Sequence, residues 1–218
     1  MYFEYGNKEV EFLKGKDKLL GAAIDQIGHI YREVDTDLFS SVIHHIIGQQ
    51  ISTRAQATIW KRLVDRLGDI SAHTIASLKL NELQKLGMTF KKAEYIKDFT
   101  EKVRNLEFDI DALGHLPDSE VVTELSALKG IGVWTAEMIM TFCMQRSDIV
   151  SFGDLAIHRG MRMLYHHRNI DRKKFEKYTK RYSPYGTVAS LYLWAIAGGS
   201  IPEMRDYAPK KKREAAKI

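Results

Sequence analysis

Three short runs carry the residue types best suited to chemistry. The first is Leu128-Lys129-Gly130-Ile131-Gly132-Val133-Trp134-Thr135-Ala136, which reads as a helix end, a Gly-x-Gly turn and the start of an apolar helix. Two glycines this close free the backbone from steric limits. Successive N–H groups can then converge on one anion at a helix N-terminus, where the dipole favours negative charge. A phosphate suits such a turn. A dinucleotide loop also uses Gly-x-Gly, but it follows a strand and continues to a third glycine; here a helix precedes and Val133-Trp134-Thr135 follows. For the glycines alone, a ligand-free turn between helices stays open.

The second run, Val150-Ser151-Phe152-Gly153-Asp154-Leu155-Ala156-Ile157-His158-Arg159-Gly160, places Asp154 22 residues after Gly132, at a helix N-cap after an apolar approach. An isolated aspartate there is a cap worth about 1 kcal/mol. The third run is Ile47-Gly48-Gln49-Gln50-Ile51-Ser52, a polar pair in a loop between two helical segments. His44 and His45 lie just before it without a Cys or acidic partner at metal-ligand spacing, and they read as a helix face.

The elements that must position these runs are helical. Leu19, Ala22, Ala23, Ile27 and Ile30 recur at helical spacing, as do Leu38, Val42, Ile43, Ile46 and Ile47. Strand-like alternation is scarce. Gly68 closes a helix from about Thr53 to Leu67, and Gly87 follows a short Glu82 to Leu86 turn. Thr36 or Asp37 can cap the helix before Phe39, and Pro117-Asp118-Ser119-Glu120 forms a capped start before Val121. Roughly eight to ten helices with short connections follow, an all-α class. Trp60 reads as core packing.

Composition narrows the function classes. At 218 residues, 44% hydrophobic and 28% charged, the chain has enough apolar material for a core, which excludes disordered and collagen-like proteins. Apolar stretches such as Leu191 to Ala197 are too short to span a bilayer, and Met1-Tyr2-Phe3-Glu4 does not open like a secretion signal. A soluble, cytoplasmic protein without a membrane partner is expected. The single cysteine, Cys143, excludes an internal disulfide, a four-cysteine zinc site and an iron–sulfur cluster. A formal charge of +5 permits a polyanionic partner without requiring one. The basic tail Pro209-Lys210-Lys211-Lys212-Arg213 reads as a frayed, solvated terminus, with an electrostatic arm as the other reading.

Taken in order, the Gly-Gln-Gln-Ile-Ser run, the hairpin and the Gly-Asp-Leu-Ala-Ile-His-Arg run resemble the helix-hairpin-helix DNA glycosylase superfamily. The Gln-Gln segment is similar to the 3-methyladenine DNA glycosylase II branch, and the likeness covers about Asp17 to Gly199. The resemblance implies a two-lobed all-α fold without an N-terminal β domain. Its terminal lobe would be residues 1–40 with 169–218, and its central lobe 41–168, with the hairpin at about 125–146. A cleft between the lobes would hold the base.

The resemblance also assigns roles. Gly130, Ile131, Gly132, Trp134 and Thr135 would bind a backbone phosphate of double-stranded DNA, with a monovalent Na⁺ or K⁺ possible at the carbonyls of Lys129 and Ile131 and no other metal or cofactor. Asp154 would be catalytic, its carboxylate stabilising an oxocarbenium-like transition state and orienting water. Trp134, Trp194, Met138, Leu155 and Tyr185 would line the base pocket, where electron-rich rings attract cationic alkylated purines. The family's branch members sometimes carry tyrosines where this chain has Met138 and Leu155. Gln50 first, or Gln49, would fill the hole left by the extruded base.

Superfamily members that cut the strand carry a lysine two residues beyond the second glycine, where this chain has Trp134. An indole cannot form a Schiff base, so a monofunctional enzyme leaving an abasic site is expected. The expected activity is excision of 3-methyladenine and 7-methylpurines in base excision repair, by a monomer that is nucleoid-associated when bound. Excision of uracil, hypoxanthine or 8-oxoguanine stays open, as does a non-catalytic module that binds damaged DNA through the hairpin.

Overall fold

The computed structural model describes residues 1–209, so Lys210 to Arg213 of the basic tail lie outside the described residues. Twelve α-helices and one 3₁₀ turn are present among them, all-α as expected and more numerous than eight to ten. The excess comes from α5 (Ala72–Ser77) and α6 (Leu80–Lys85), of six residues each. Helices under two turns hold too few apolar positions for a 3.6-residue period to be visible. None of the helices is long and apolar enough to cross a membrane.

The chain divides into two compact units. One comprises residues 1–3 and 33–146, the other residues 4–32 and the described residues from 147 onward. The division therefore falls near residues 32 and 146, not at 40 and 168. The physical reason lies in how residues 147–165 pack. α10 (Leu155–Tyr165) lies so close to α12 (Gly186–Gly198) that a Cβ on Gly160 would sit 2.3 Å from the Leu193 carbonyl oxygen. The approach to α10 is tied down as well. The Thr187 amide donates to the Ser147 carbonyl, the Thr187 hydroxyl accepts from the Ile149 amide, and the Ser190 hydroxyl donates to the Ile149 carbonyl. Asp154 thus belongs to the unit built by the terminal helices.

The first unit is assembled from α3 (Leu38–Gly48), α4 (Thr53–Leu67), α5, α6, α7 (Phe90–Arg104), α8 (Asp118–Ser126) and α9 (Val133–Phe142). Val42, Ile43, Ile46 and Ile47 make one fully buried face of α3, and Phe39 stacks on Phe99 of α7 at 5.1 Å. Asp37 caps α3 by accepting from the Ser40 amide, and Gly68 ends α4 at φ +75°. Pro117 is the cap residue of α8, so that start has no side-chain cap; Asp118 and Glu120 favour it through the dipole. Trp60 is half-buried against His44, with ring centroids 4.8 Å apart, and is not a core residue.

The second unit holds α1 (Asn7–Lys16), α2 (Lys18–Ile27), α10, α11 (Arg172–Tyr182) and α12. On α2 the buried face is Leu20, Gly21, Ala23 and Ile24; Leu19 is exposed and Ile30 lies beyond the helix. Asp17 joins three helices. Its carboxylate accepts from the amides of Leu19 and Leu20, from the Tyr165 hydroxyl at 2.8 Å and from Arg181 at 2.9 Å, and it is almost wholly buried.

Candidate functional site

The hairpin lies in the first unit, where α8 and α9 pack on one another across residues 127–132. Its two glycines do different work. Gly130 adopts φ +84°, and a Cβ there would fall 2.2 Å from the Tyr95 ring of α7. Both the backbone angle and the neighbouring ring demand glycine. Gly132 is the N-cap of α9 in an extended conformation, with nothing within 4 Å of a built Cβ. Having no side chain, it cannot cap the helix itself, and it leaves the positive end of α9 open to an outside anion. Ile131 is buried and closes the turn by donating its amide to the Leu128 carbonyl. Lys129 pairs with Asp98 on α7 at 2.5 Å.

On the first turn of α9, Val133 and Trp134 face outward while Thr135 is buried. Trp134 is 46% exposed, a large apolar ring left at the surface beside the open helix end. Met138, one turn on, is buried.

The Gln-Gln loop joins α3 to α4 in the same unit, and the structure separates the two glutamines. Gln49 turns its amide to the hairpin, donating from Nε2 to the Gly130 carbonyl at 2.6 Å. Gln50 is exposed, at φ +56°. Gln50 is the outward member of the pair, while the Gln49 amide is engaged by the hairpin. Lys92, which the sequence reading did not single out, donates to the Ile47 and Gln49 carbonyls at 2.8 and 2.6 Å. Its clue was its place in the helix-turn-basic run Leu86 to Ala93.

Below the loop, burial and the neighbouring His44 push the His45 pKa down to about 4. The neighbouring Ser41 hydroxyl donates to Asp35, and His44 lies 3.9 Å from the same carboxylate.

In the second unit, Asp154 is the N-cap of α10 and only 7% exposed. Its Oδ1 accepts from the amides of Ala156 at 2.8 Å and Ile157 at 2.9 Å, so the capping role read from sequence is real. A carboxylate held by two amides is also pre-oriented for electrostatic work, because its position is settled before any charge develops near it. Leu155, the next residue, is 85% exposed. Phe152 and His158 brace the segment. The His158 ring donates from Nε2 to the Phe152 carbonyl at 2.8 Å, Phe152 meets Phe175 edge-on at 5.0 Å, and Arg172 lies 4.2 Å over the Phe152 ring. Neither had been singled out, though both stand within the Asp154 run.

Trp194 is half-buried on α12, immediately after the Leu193 that Gly160 packs against. Tyr185, at the start of α12, sets its ring edge-on to Phe12 of α1 at 5.1 Å. Among the described residues no group of three or more His, Cys, Asp or Glu side chains could hold a metal ion.

Comparison with known proteins converges on one family. The chain is similar to a DNA-3-methyladenine glycosidase from Bacillus halodurans of known structure, at 32% identity and a TM-score of 0.85, covering 95% of this chain and 97% of that one. It is similar to DNA-3-methyladenine glycosylase 1 of Schizosaccharomyces pombe at 26% identity, covering 79% of this chain and 78% of that protein. It also matches the Bacillus subtilis protein YfjP at 25% identity over 74% of this chain, and spans 59% of that relative's length. A family model matches residues 43–184, from the middle of α3 through the Gln-Gln loop, the hairpin and Asp154 to the turn before α12, and on that match the chain belongs to the HhH-GPD superfamily of base excision DNA repair proteins.

Proposed function

We propose that this protein excises alkylated purines, 3-methyladenine and 7-methylpurines, from double-stranded DNA by hydrolysing the N-glycosidic bond. The observation that carries the reading is Asp154: a nearly buried carboxylate, fixed by two helix amides, with the exposed Leu155 beside it. Breaking the bond leaves positive charge on the sugar. A fixed anion stabilises that charge and orients the attacking water. The relatives named as 3-methyladenine glycosylases support the choice of lesion class.

The remaining parts follow from the hairpin unit. The open end of α9 at Gly132 grips a backbone phosphate, which holds register and reads no sequence. The carbonyls of Lys129 and Ile131 flank Gly130, whose own carbonyl Gln49 occupies, and they are where a monovalent cation would sit to add charge for that phosphate. Trp134 offers a ring face to an electron-poor purine. Gln50 enters the space the base vacates. Because position 134 holds an indole and not an amine, the product is an abasic site with an uncut backbone.

The test incubates the protein with methylated DNA and measures released base, with and without alkali, alongside duplexes bearing single uracil, hypoxanthine or 8-oxoguanine. Release of methylated purines, strand breaks confined to the alkali lane, and loss of release in Asp154→Asn are expected. An Asp154→Asn variant as fast as the parent would overturn the role of the carboxylate, and release confined to another lesion would overturn the substrate.

A further inference from the structure

The Gln-Gln loop is held more firmly than a surface loop needs to be. Gln50 sits at φ +56°, a backbone region that a residue with a Cβ occupies only when its surroundings over-determine it. Three contacts supply that determination, and all of them reach the hairpin or the helix beneath it. The Gln49 amide donates to the Gly130 carbonyl. The Lys92 ammonium, on the first turn of α7, donates to the Ile47 and Gln49 carbonyls at the end of α3. Tyr95, three residues further along α7, is the ring that lies against Gly130. Loop, hairpin and α7 are thus tied to one another through Gln49, the residue before Gln50.

Lys92 spends its charge on the end of a helix, as Lys97 does with the Ala76 and Leu78 carbonyls at the end of α5. Its partners are two main-chain carbonyls and no carboxylate, and burial lowers its pKa. Lys61 and Lys129, by contrast, reach exposed or half-exposed aspartates. A cation at the C-terminal end of α3 satisfies carbonyls that the helix leaves unpaired and meets the negative end of its dipole. That explains why the ammonium is stable there. What sets Lys92 apart is where its carbonyls lie: they belong to the residues just before Gln50, and the Gln49 side chain is bonded in turn to the hairpin.

We infer that Lys92 and Gln49 are positioning residues that lock the Gln50 tip to the phosphate-gripping hairpin, so that the anchored phosphate sets the depth and register at which Gln50 enters the duplex. This rests on the reading of Gln50 as the residue that fills the vacated space. Gln49 is not a second wedge; its side chain is the tie between wedge and anchor. Loosening the tie leaves both parts present but uncoordinated, and misplacement of about 1 Å is enough to cost a large factor in rate.

The experiment compares the parent with Lys92→Met, which keeps the stem and removes the donors, Lys92→Arg, and Gln49→Met. Single-turnover excision of one methylated purine is measured in two duplexes: paired with its ordinary partner, and facing an abasic site where it is already unpaired. Lys92→Met and Gln49→Met are expected to lose about tenfold or more on the paired lesion and to stay within about twofold on the unpaired one, with Lys92→Arg partly restoring the paired rate. Lys92→Met combined with Gln50→Ala should be no slower than Gln50→Ala alone. Equal losses on both duplexes would mark Lys92 as merely structural and overturn the inference, as would an unchanged paired rate.

A second readout needs no bond breaking. A 2-aminopurine beside an abasic analogue brightens when the stack is opened, and the parent should brighten it while Lys92→Met brightens it less. If the parent excises neither lesion but brightens the probe, the proposed reaction fails and the inference about Lys92 is still decided by the probe. Failure of the parent to brighten it would overturn the inference itself.

Discussion

Alanine at Gly130 and at Gly132 should produce opposite phenotypes, although the two glycines are two residues apart in the same turn. At Gly130 the backbone has φ +84°, where an L-residue pays about 1–2 kcal/mol. The new Cβ would also lie 2.2 Å and 2.5 Å from two carbons of the Tyr95 ring, so the ring must move by more than an ångström. Overpacking of that kind costs about 1–3 kcal/mol. Against this stands a gain of about 0.4–1 kcal/mol from the stiffer unfolded chain, leaving Gly130→Ala destabilised by roughly 1–4.6 kcal/mol. At Gly132 the backbone is extended and nothing lies within 4 Å, so Gly132→Ala should fold within about 0.5 kcal/mol of the parent. Its methyl group, however, stands where a phosphate would approach the end of α9, and a lost charge-assisted contact of about 1.5 kcal/mol weakens DNA binding roughly tenfold. Urea unfolding followed by tryptophan fluorescence, and titration of a labelled abasic-analogue duplex at several salt concentrations, separate the two effects. Gly132→Ala that unfolds as readily as Gly130→Ala, or that binds duplex as tightly as the parent, would refute the reasoning.

Asp154→Ala should lose about 1 kcal/mol of stability because the cap is gone, whereas Asp154→Asn, itself a good cap, should lose little; thermal melting of the two variants checks this independently of activity. His45 is held neutral, with its pKa at about 4 against an ordinary 6.5, so the unfolded chain binds the extra proton first. Stability should therefore be intact above pH 6.5 and fall as pH drops toward 4, by about 2 kcal/mol between pH 7.5 and 5, and His45→Gln should flatten that dependence in urea titrations at the two pH values. Asp17→Ala removes the cap of α2 and the carboxylate that Arg181 and the Tyr165 hydroxyl share, though Tyr165 keeps Tyr182 and Arg181 still reaches solvent; it should cost about 2–3 kcal/mol by the same titration, more than removal of the exposed Lys61–Asp65 pair, worth about 0.3–0.5 kcal/mol.

Much of this was legible in the order of residues, because the signals involved are local. Helical periodicity and caps located α4 from Thr53 to Leu67 with Gly68 behind it, and Asp37 and Asp154 as N-caps. The Gly-x-Gly turn, the helix before it and the absence of a third glycine were enough to read a hairpin and set aside a dinucleotide loop. Each of these depends on residues within one or two turns of one another, which is the range over which backbone sterics and capping act.

The rest was settled by contacts between residues far apart in the chain. That Gly130 answers to Tyr95 while Gly132 answers to empty space cannot be seen in Gly-Ile-Gly, since the two glycines differ only in what another helix brings near them. The sequence ranks Gln50 before Gln49 but cannot show what holds either; that Gln49 meets Gly130, 81 residues away, and that Lys92 closes on the loop from a third helix is a matter of packing. The placement of Asp154 in the terminal unit likewise came from the close seat of Gly160 on Leu193. A linear pattern records which residues prefer a helix, a cap or a turn; which side chain is spent on structure and which is left outward is settled by packing, where every buried donor must find an acceptor and no two atoms can share a volume.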